Sequence, residues 1–266
     1  MHRADVDVRF ESVDPADVRG EIVAHHRRQP YLGDFFMGHH QLTGDAVRVV
    51  IDGARAGVAA SHQGSLTYFR LDDAHRRLSR QALQSYFADR DVTRAYVASW
   101  DQHHVDLFGG FATTIQPQGY QFELLDEYAL REPIDGLSLR LATRDDLAYL
   151  TAQDFLDDYD EPLDKSQLRI AERRGMRVGI GMYVAHPISD RVIDIGMYAN
   201  PSVRREGVGS SILALLAHEA LDTGRRVAAG CWWRNWDSRS AVERAGLDCV
   251  GTIFELHLDA NRFAST

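Results

Sequence analysis

Cysteine is scarce in this chain of 266 residues, where only Cys231 and Cys249 occur. Two thiols cannot build the framework of a disulfide-stapled secreted domain, so a reducing, cytoplasmic setting is expected. Long apolar runs are missing too. None approaches the roughly 20 residues that a membrane-spanning helix needs, and the opening MHRADVDVRFESVDPADV lacks the apolar core of a signal peptide. No membrane partner is expected. Positive charge is outweighed: 30 Lys and Arg face 39 Asp and Glu, giving a net charge of -9. That balance argues against nucleic acid as a general partner and suits a cationic small molecule. Metal motifs are also lacking. There is no HExxH, and the pairs His25-His26, His39-His40 and His103-His104 set neighbouring rings on different sides of an element. These histidines are expected to be solvated or hydrogen-bonded, with no metal bound.

What the chain does have is a segment from Val192 to Thr223 with three parts. Val192 to Ala199 is apolar and β-branched, as a buried strand would be, and Asn200-Pro201 ends it. Arg204-Arg205-Glu206-Gly207-Val208-Gly209 follows. Then Ile212, Leu213, Leu216, Ala217, Ala220 and Leu221 fall on one helical face, with Ser211, His218, Glu219 and Asp222 outside it. Gly224 is the expected stop. Glycines before a helix let the backbone approach a ligand, and the free amides of the first helical turn attract phosphate. An ordinary βα turn that merely needs glycine would read the same way. The loop is not a Walker motif, because no Gly-Lys-Ser/Thr follows. Nor is it a dinucleotide fingerprint, because Ile212 stands where the third glycine would be.

Arg204-x-x-Gly207-x-Gly209 after a strand resembles the acetyl-CoA pyrophosphate loop of the GNAT N-acetyltransferases, Q/R-x-x-G-x-G/A. Asn235-Trp236-Asp237-Ser238, with Ala241 and Ala245-Gly246-Leu247, resembles that family's later N-x-x-A/S…G-F block. The resemblance runs from Leu137 to Leu258. It implies that acetyl-CoA meets the backbone of Met197, Tyr198 and Ala199, the loop Arg204, Arg205, Glu206, Gly207, Val208, Gly209 and Ser210, and the side chains of Asn235 and Ser238. One departure stands out: the family often has a tyrosine seven residues after the asparagine, as proton donor to the departing thiolate, and this chain has Val242. Tyr198 is the expected substitute, with a merely packed tyrosine as the other reading. Asp194 is the expected general base, acting directly or through water, unless it faces away and caps a neighbouring loop. Asn235 serves the pantetheine arm or caps a helix. Cys231 reads as a small buried residue.

The first half echoes the second. Arg76-Arg77-Leu78-Ser79-Arg80-Gln81 stands 128 residues before the glycine loop, and Val8 to Asp14 stands 131 residues before Leu139 to Asp145. Ser79 and Gln81 replace both glycines, so this copy is expected to bind no coenzyme. Asp52-Gly53 marks a hairpin between Ala46 to Ile51 and Arg55 to Ser61. Further elements are a strand over Leu66 to Leu71, a helix over Arg76 to Phe87 and a strand over Arg94 to Trp100. Asp126 to Gly136 reads as a linker and Arg144 to Asp157 as a helix. Strands are expected over Leu137 to Leu141, Arg177 to Ala185, Arg226 to Cys231 and Gly251 to Leu258. The expected fold is mixed α/β: two tandem GNAT-like domains, each a mostly antiparallel mixed sheet flanked by helices. They are expected to divide into residues 1–130, without coenzyme, and 131–266, binding it.

The implied function is direct transfer of an acetyl group from acetyl-CoA to a primary amine of a small cationic molecule, in a ternary complex. Asp154 to Asp164, which reads DFLDDYDEPLD, is either a solvated loop or the acidic wall of the acceptor entrance. An inactive acyl-CoA-binding module or a protein-interaction module is the alternative. Homo-oligomerisation stays open.

Overall fold

The computed structural model describes residues 6–259. In chain order the elements are β1 (Val8–Val13), α1 (Pro15–His26), α2 (Phe35–Thr43), β2 (Asp45–Ile51), β3 (Ala54–His62), β4 (Ser65–Leu71), α3 (Ser79–Arg90), β5 (Arg94–Ala98), α4 (Gln102–Gly109) and β6 (Ala112–Glu123). After these come β7 (Leu137–Leu141), α5 (Leu147–Thr151), α6 (Asp160–Asp164), β8 (Leu168–Arg173), β9 (Met176–His186), β10 (Ser189–Ala199), α7 (Val208–Asp222), β11 (Arg226–Trp232), α8 (Trp236–Ala245) and β12 (Asp248–Leu258). No helix among the described residues is long and apolar enough to cross a membrane.

The chain forms two units. Among the described residues, one holds 6–32, Phe36–Gly119 and 251–259; the other holds Gly33–Phe35 and Tyr120–Val250. This differs from the single cut expected between 130 and 131, and side-chain chemistry explains why. Tyr120, Phe122 and Leu124 alternate along the end of β6 and its exit, and they pack into the second unit's core. Phe254, Leu256 and Leu258 alternate along β12 and pack into the first. The expected linker is likewise occupied: Leu130 and Ile134 pack on the second core, and the Ile134 amide donates to Ser211 Oγ at 3.1 Å.

In the first unit, β1, β2, β3 and β4 pair antiparallel in that order. Asp14 caps α1 by accepting from the Ala16 amide at 2.9 Å, and Pro15 opens the helix. The β2–β3 turn has positive φ at both Asp52 and Gly53, 50° and 78°, as a two-residue hairpin requires. Phe69, Tyr86, Phe108 and Phe111 are buried in the core between sheet and helices. β5 pairs with β4 in parallel over only two positions, Ser65↔Arg94 and Leu66↔Ala95, and with β12 antiparallel.

In the second unit, β7, β8, β9 and β10 pair antiparallel in order. The face of β10 bearing Ile193, Ile195 and Met197 packs against α7 in one core. Tyr198 belongs to a second cluster with Phe155, Leu163 and Ile180. Two details differ from expectation. The helix after β7 is a 3-10 turn followed by α5, and it ends at Thr151. The buried Tyr159 explains the early stop: its hydroxyl donates to Gln153 O at 3.0 Å and accepts from the Leu156 amide at 3.2 Å, which folds the chain back. Ser211, expected outside, is buried on α7 because its hydroxyl serves the Ile134 amide, while Leu221 is half-buried.

Candidate functional site

β10 and β11 pair in parallel at Val192, Ile193 and Asp194 alone. β10 nevertheless continues to Ala199, still paired on its other edge with β9 out to Gly179. From Ile195 onward the edge of β10 that would meet β11 is therefore opened. Backbone groups alternate between the two edges of a strand. Met197 and Ala199 have theirs on the opened edge, whereas the Tyr198 backbone, expected with them, faces β9, in step with the Asn200 amide that donates to Val178 O. The chain then turns through Pro201–Val203 and enters α7 with Gly207 as its N-cap, at φ 85°. Arg205 is also left-handed, at φ 69°. The amides of Val208, Gly209 and Ser210 form the first helical turn, where no intrahelical acceptor exists. Gly209 does more than admit a ligand: a Cβ there would lie 3.1 Å from Met197 Sδ and 3.6 Å from Ala241 Cβ. Its missing side chain lets α7 approach β10 and α8 together. Arg204 and Arg205 are exposed, whereas Glu206 pairs with Arg173 at 3.2 Å. Asn235 caps α8 by accepting from the Ser238 amide at 3.0 Å, which leaves its amide nitrogen available.

Asp194 stands where the two strands part. It is 6% exposed, and its Oδ2 accepts from the Phe35 amide at 2.9 Å. Burial, with the Asp34 charge adding to it, raises its pKa well above the carboxylate range. Asp34 is itself gripped by Gln121, whose Nε2 donates to Oδ2 at 3.0 Å, and it lies over Gly230, where any Cβ would overlap its carboxylate. His186 bonds to the Asp34 carbonyl at 3.0 Å through Nε2 and accepts from the Ile188 amide at 3.2 Å through Nδ1. Burial lowers its pKa to about 4. Nothing in the sequence pattern linked Asp34 or Gln121 to Asp194: the Asp34–Phe35 segment lies about 150 residues before the His186 and Asp194 that it meets, and Gln121 lies 87 residues from Asp34. Tyr198 is on the same side of β10 as Asp194, two positions past Gly196, with its ring centroid 6.0 Å from that of Phe155. Val242 is buried in the core and has no proton to give, and burial raises the Cys231 thiol to about 11, so it is no thiolate nucleophile at neutral pH.

Neither a family model nor a curated relative matches the sequence. Solved structures do match in shape. An acetyltransferase of the GNAT family from Colwellia psychrerythraea has a TM-score of 0.81 at 15% identity, over 94% of this chain and 100% of its own. A tandem GNAT protein from the clavulanic acid biosynthesis pathway has a TM-score of 0.61 at 12% identity, over 94% of this chain and 98% of its own. A GCN5-related N-acetyltransferase from Sphaerobacter thermophilus has a TM-score of 0.59 at 16% identity, over 94% and 95%. The chain has the GNAT fold, in tandem.

The first GNAT-like unit repeats the architecture with different contents. Leu66, the last β4 residue paired with β5, stands 128 positions before Asp194, so Phe69 corresponds to Met197. Around Phe69 the gap is filled by the protein itself. His103 Nε2 bonds to the Phe69 carbonyl at 3.2 Å, and His104 Nε2 accepts from the Phe69 amide at 3.3 Å. The helix start differs too. Leu78 and Ser79 are right-handed, at φ -92° and -54°, where the second unit has the left-handed Gly207. His25, His26, His103 and His104 are thus hydrogen-bonded, whereas His40 Nδ1 is buried without a partner among the described residues. His25, Asp101 and His104 come together with one ligand-type atom each, all within 4.8 Å. Their spacing is that of hydrogen bonds: Asp101 Oδ2 is 2.7 Å from His25 Nε2 and 2.6 Å from His104 Nδ1. Ligands around a tetrahedral zinc, at ~2.0–2.1 Å from the metal, stand farther apart than that.

Proposed function

We propose that the second unit is an acetyl-CoA-dependent N-acetyltransferase acting on the primary amine of a small cationic molecule, with both substrates bound together. The observation that carries this reading is the opened edge of β10 leading directly to the left-handed Gly207 and the first turn of α7. An extended amide chain can hydrogen-bond along the first, and a pyrophosphate can sit on the second. The residues fit that coenzyme: the α7 amides with Arg204 and Arg205 would hold the pyrophosphate, and Asn235 Nδ2 the pantetheine arm. When bound, acetyl-CoA would supply the acetyl group as a thioester whose C–S bond breaks as a C–N bond to the acceptor forms.

An alkyl ammonium near pKa ~10.4 must first give up a proton. Asp194, whose pKa is raised by burial first and by Asp34 second, is the proposed base. It sits about 10 Å along the strand from Met197, at ~3.3 Å per residue, so the proton would travel through water. On the opened edge, the Met197 and Ala199 amides would face the carbonyl oxygen as charge develops on it. With Val242 where the family often has tyrosine, Tyr198 is the proposed donor to the departing thiolate. Within the acidic run, Arg144 pairs with Asp160 and Asp164, and Lys165 with Glu161. Asp158 caps the Asp160 amide at 3.0 Å. Steering of a cationic acceptor then falls to the exposed Asp154 and Asp157.

The test is release of free CoA thiol from acetyl-CoA across a panel of amines. A subset of cationic amines should release thiol in the wild type and fail to do so in a folded Gly207→Val variant. Coenzyme binding with no thiol release for any amine would favour the inactive acyl-CoA-binding module, which the buried Val242 permits. No coenzyme binding at all would end both readings.

A further inference from the structure

A cavity of about 380 Å³ opens in the first unit, between the C-terminal end of α1 and strands β2, β3 and β4. Four arginines line it: Arg28, Arg48, Arg55 and Arg70. Its two carboxylates are already engaged, since Glu21 pairs with Arg48, and Asp72 pairs with His75 at 2.7 Å. Arg48 spends its second amino group on the Asp17 carbonyl, at 2.9 Å. Arg70 donates to Nδ1 of His25 at 2.7 Å. Burial lowers the pKa of that imidazole, which bonds to Asp101 through its other nitrogen, so it leaves the Arg70 charge uncompensated. Arg28 and Arg55 engage no carboxylate among the described residues. Three guanidiniums therefore line one cavity with no carboxylate bonded to them among the described residues, and Asp72, whose partner is an imidazole, is the acidic group that remains on its wall. The end of α1 adds roughly half a negative charge, too little to offset them.

The floor of the cavity supplies a second, independent observation. Tyr68 is 1% exposed and lines the cavity, yet its hydroxyl has no hydrogen-bond partner among the described residues. Its ring is fixed edge-on between His25 and His104, with centroids 5.4 Å and 5.2 Å away. The hydroxyl therefore has an open donor and acceptor at the cavity wall, ready for a bound acceptor. Burial raises its pKa, so it remains an O–H donor throughout the physiological range.

We propose that the first unit holds a binding site for a small organic oxyanion, a phosphate ester or a carboxylate, which accepts from Tyr68 and from Arg28, Arg55 and Arg70. Guanidinium forks match the paired oxygens of either group. Ala24, Gly57 and Leu71 give the rest of the ligand an apolar wall. In the repeat register Tyr68 and Arg70 correspond to Gly196 and Tyr198, on the side of the central strand away from the coenzyme-type helix start. The copy that lost the coenzyme loop thus keeps a lined recess on its other face. The proposal does not depend on coenzyme chemistry in the second unit.

The experiment is calorimetric titration of the full chain, at fixed ionic strength, with phenyl phosphate and with succinate. One-to-one saturable binding of either is expected. It should weaken at least about tenfold, or about 1.4 kcal/mol, in the Arg28→Gln/Arg55→Gln double variant. Neither residue holds the fold through any ion pair, so this variant should remain folded. Tyr68→Phe, which removes only the hydroxyl, should weaken the same binding. Arg76→Gln/Arg77→Gln makes the same charge change outside the cavity and should leave it intact. Binding of phenyl phosphate alone identifies phosphate esters, and of succinate alone carboxylates. No saturable binding of either probe overturns the proposal, as does binding that the cavity variants leave unchanged or that the Arg76/Arg77 control weakens equally.

Discussion

At the scale of single residues, two glycines of one loop do different work. Gly207 sits at φ 85°, and a Cβ there would lie 3.3 Å from Ile134 Cγ2. Gly209 has ordinary angles, and its Cβ would meet the flexible end of Met197. Gly207→Ala should therefore destabilise the protein by roughly 1–2 kcal/mol, the cost of holding an L-residue left-handed. Gly209→Ala should cost less, because Met197 can move. Denaturant midpoints of the two variants test the order, and equal losses would contradict it. Asp194 offers a pH-dependent counterpart. Its folded-state pKa is raised, by burial first and by Asp34 second, so the unfolded chain gives up this proton at lower pH than the native chain does. The native state is thereby penalised as pH climbs from the unfolded pKa toward the folded one. Asp194→Asn removes that penalty. The variant should gain more stability over wild type at pH 8 than at pH 5. An advantage of the same size at both pH values would mean that the carboxyl is not held protonated.

At the scale of elements, the sequence could be read wherever local chemistry decides. The run Val192 to Ala199, the glycine loop and the face of α7 follow from periodicity and turn residues. So does the Asp52-Gly53 hairpin. What could not be read depends on contacts between distant segments. The buried Ser211 is explained by the Ile134 amide, the early end of α5 by Tyr159, and the surroundings of Asp194 by Asp34 and His186. The opening between β10 and β11 leaves no local mark either, since both strands keep strand-like sequences throughout. The same holds for its counterpart in the first unit, where Ser79 and Gln81 were legible but His103 and His104 bonding to Phe69 were not. The difference has a measurable consequence. Coenzyme stoichiometry should be one per chain, and Ser79→Gly/Gln81→Gly should leave it at one, because the imidazoles still occupy the β4 backbone. Two coenzymes per chain in that variant, counted by calorimetry, would mean that the loop alone had excluded the second.

At the scale of the whole molecule, the net charge of -9 conceals a set of enclosed histidines. Burial lowers His26, His40, His103 and His186 to about 4 from an ordinary value near 6.5. Each stays neutral in the native state while the unfolded chain takes up a proton, so each contributes stability above pH ~6.5 that is lost progressively down to about 4. Asp101 is held below the usual carboxylate range by its histidine neighbours against the cost of burial, so its contribution is lost only at still lower pH. Asp194 has the opposite sign and regains stability on acidification, offsetting about one of the four histidine protons. About three protons then remain. Unfolding free energy should fall by up to about 4 kcal/mol per pH unit, at about 1.4 kcal/mol per proton, within the window from 6.5 to 4. Urea denaturation at pH 7 and pH 5 measures this drop directly. His26→Gln and His103→Gln should lower stability at pH 7 but flatten the decline, since each removes one proton from the difference between the two states. If the protein were as stable at pH 5 as at pH 7, the histidines would be titrating freely in the folded chain. The hydrogen bonds of His103 to Phe69 and of His186 to Asp34 and Ile188 would then not be holding those rings neutral.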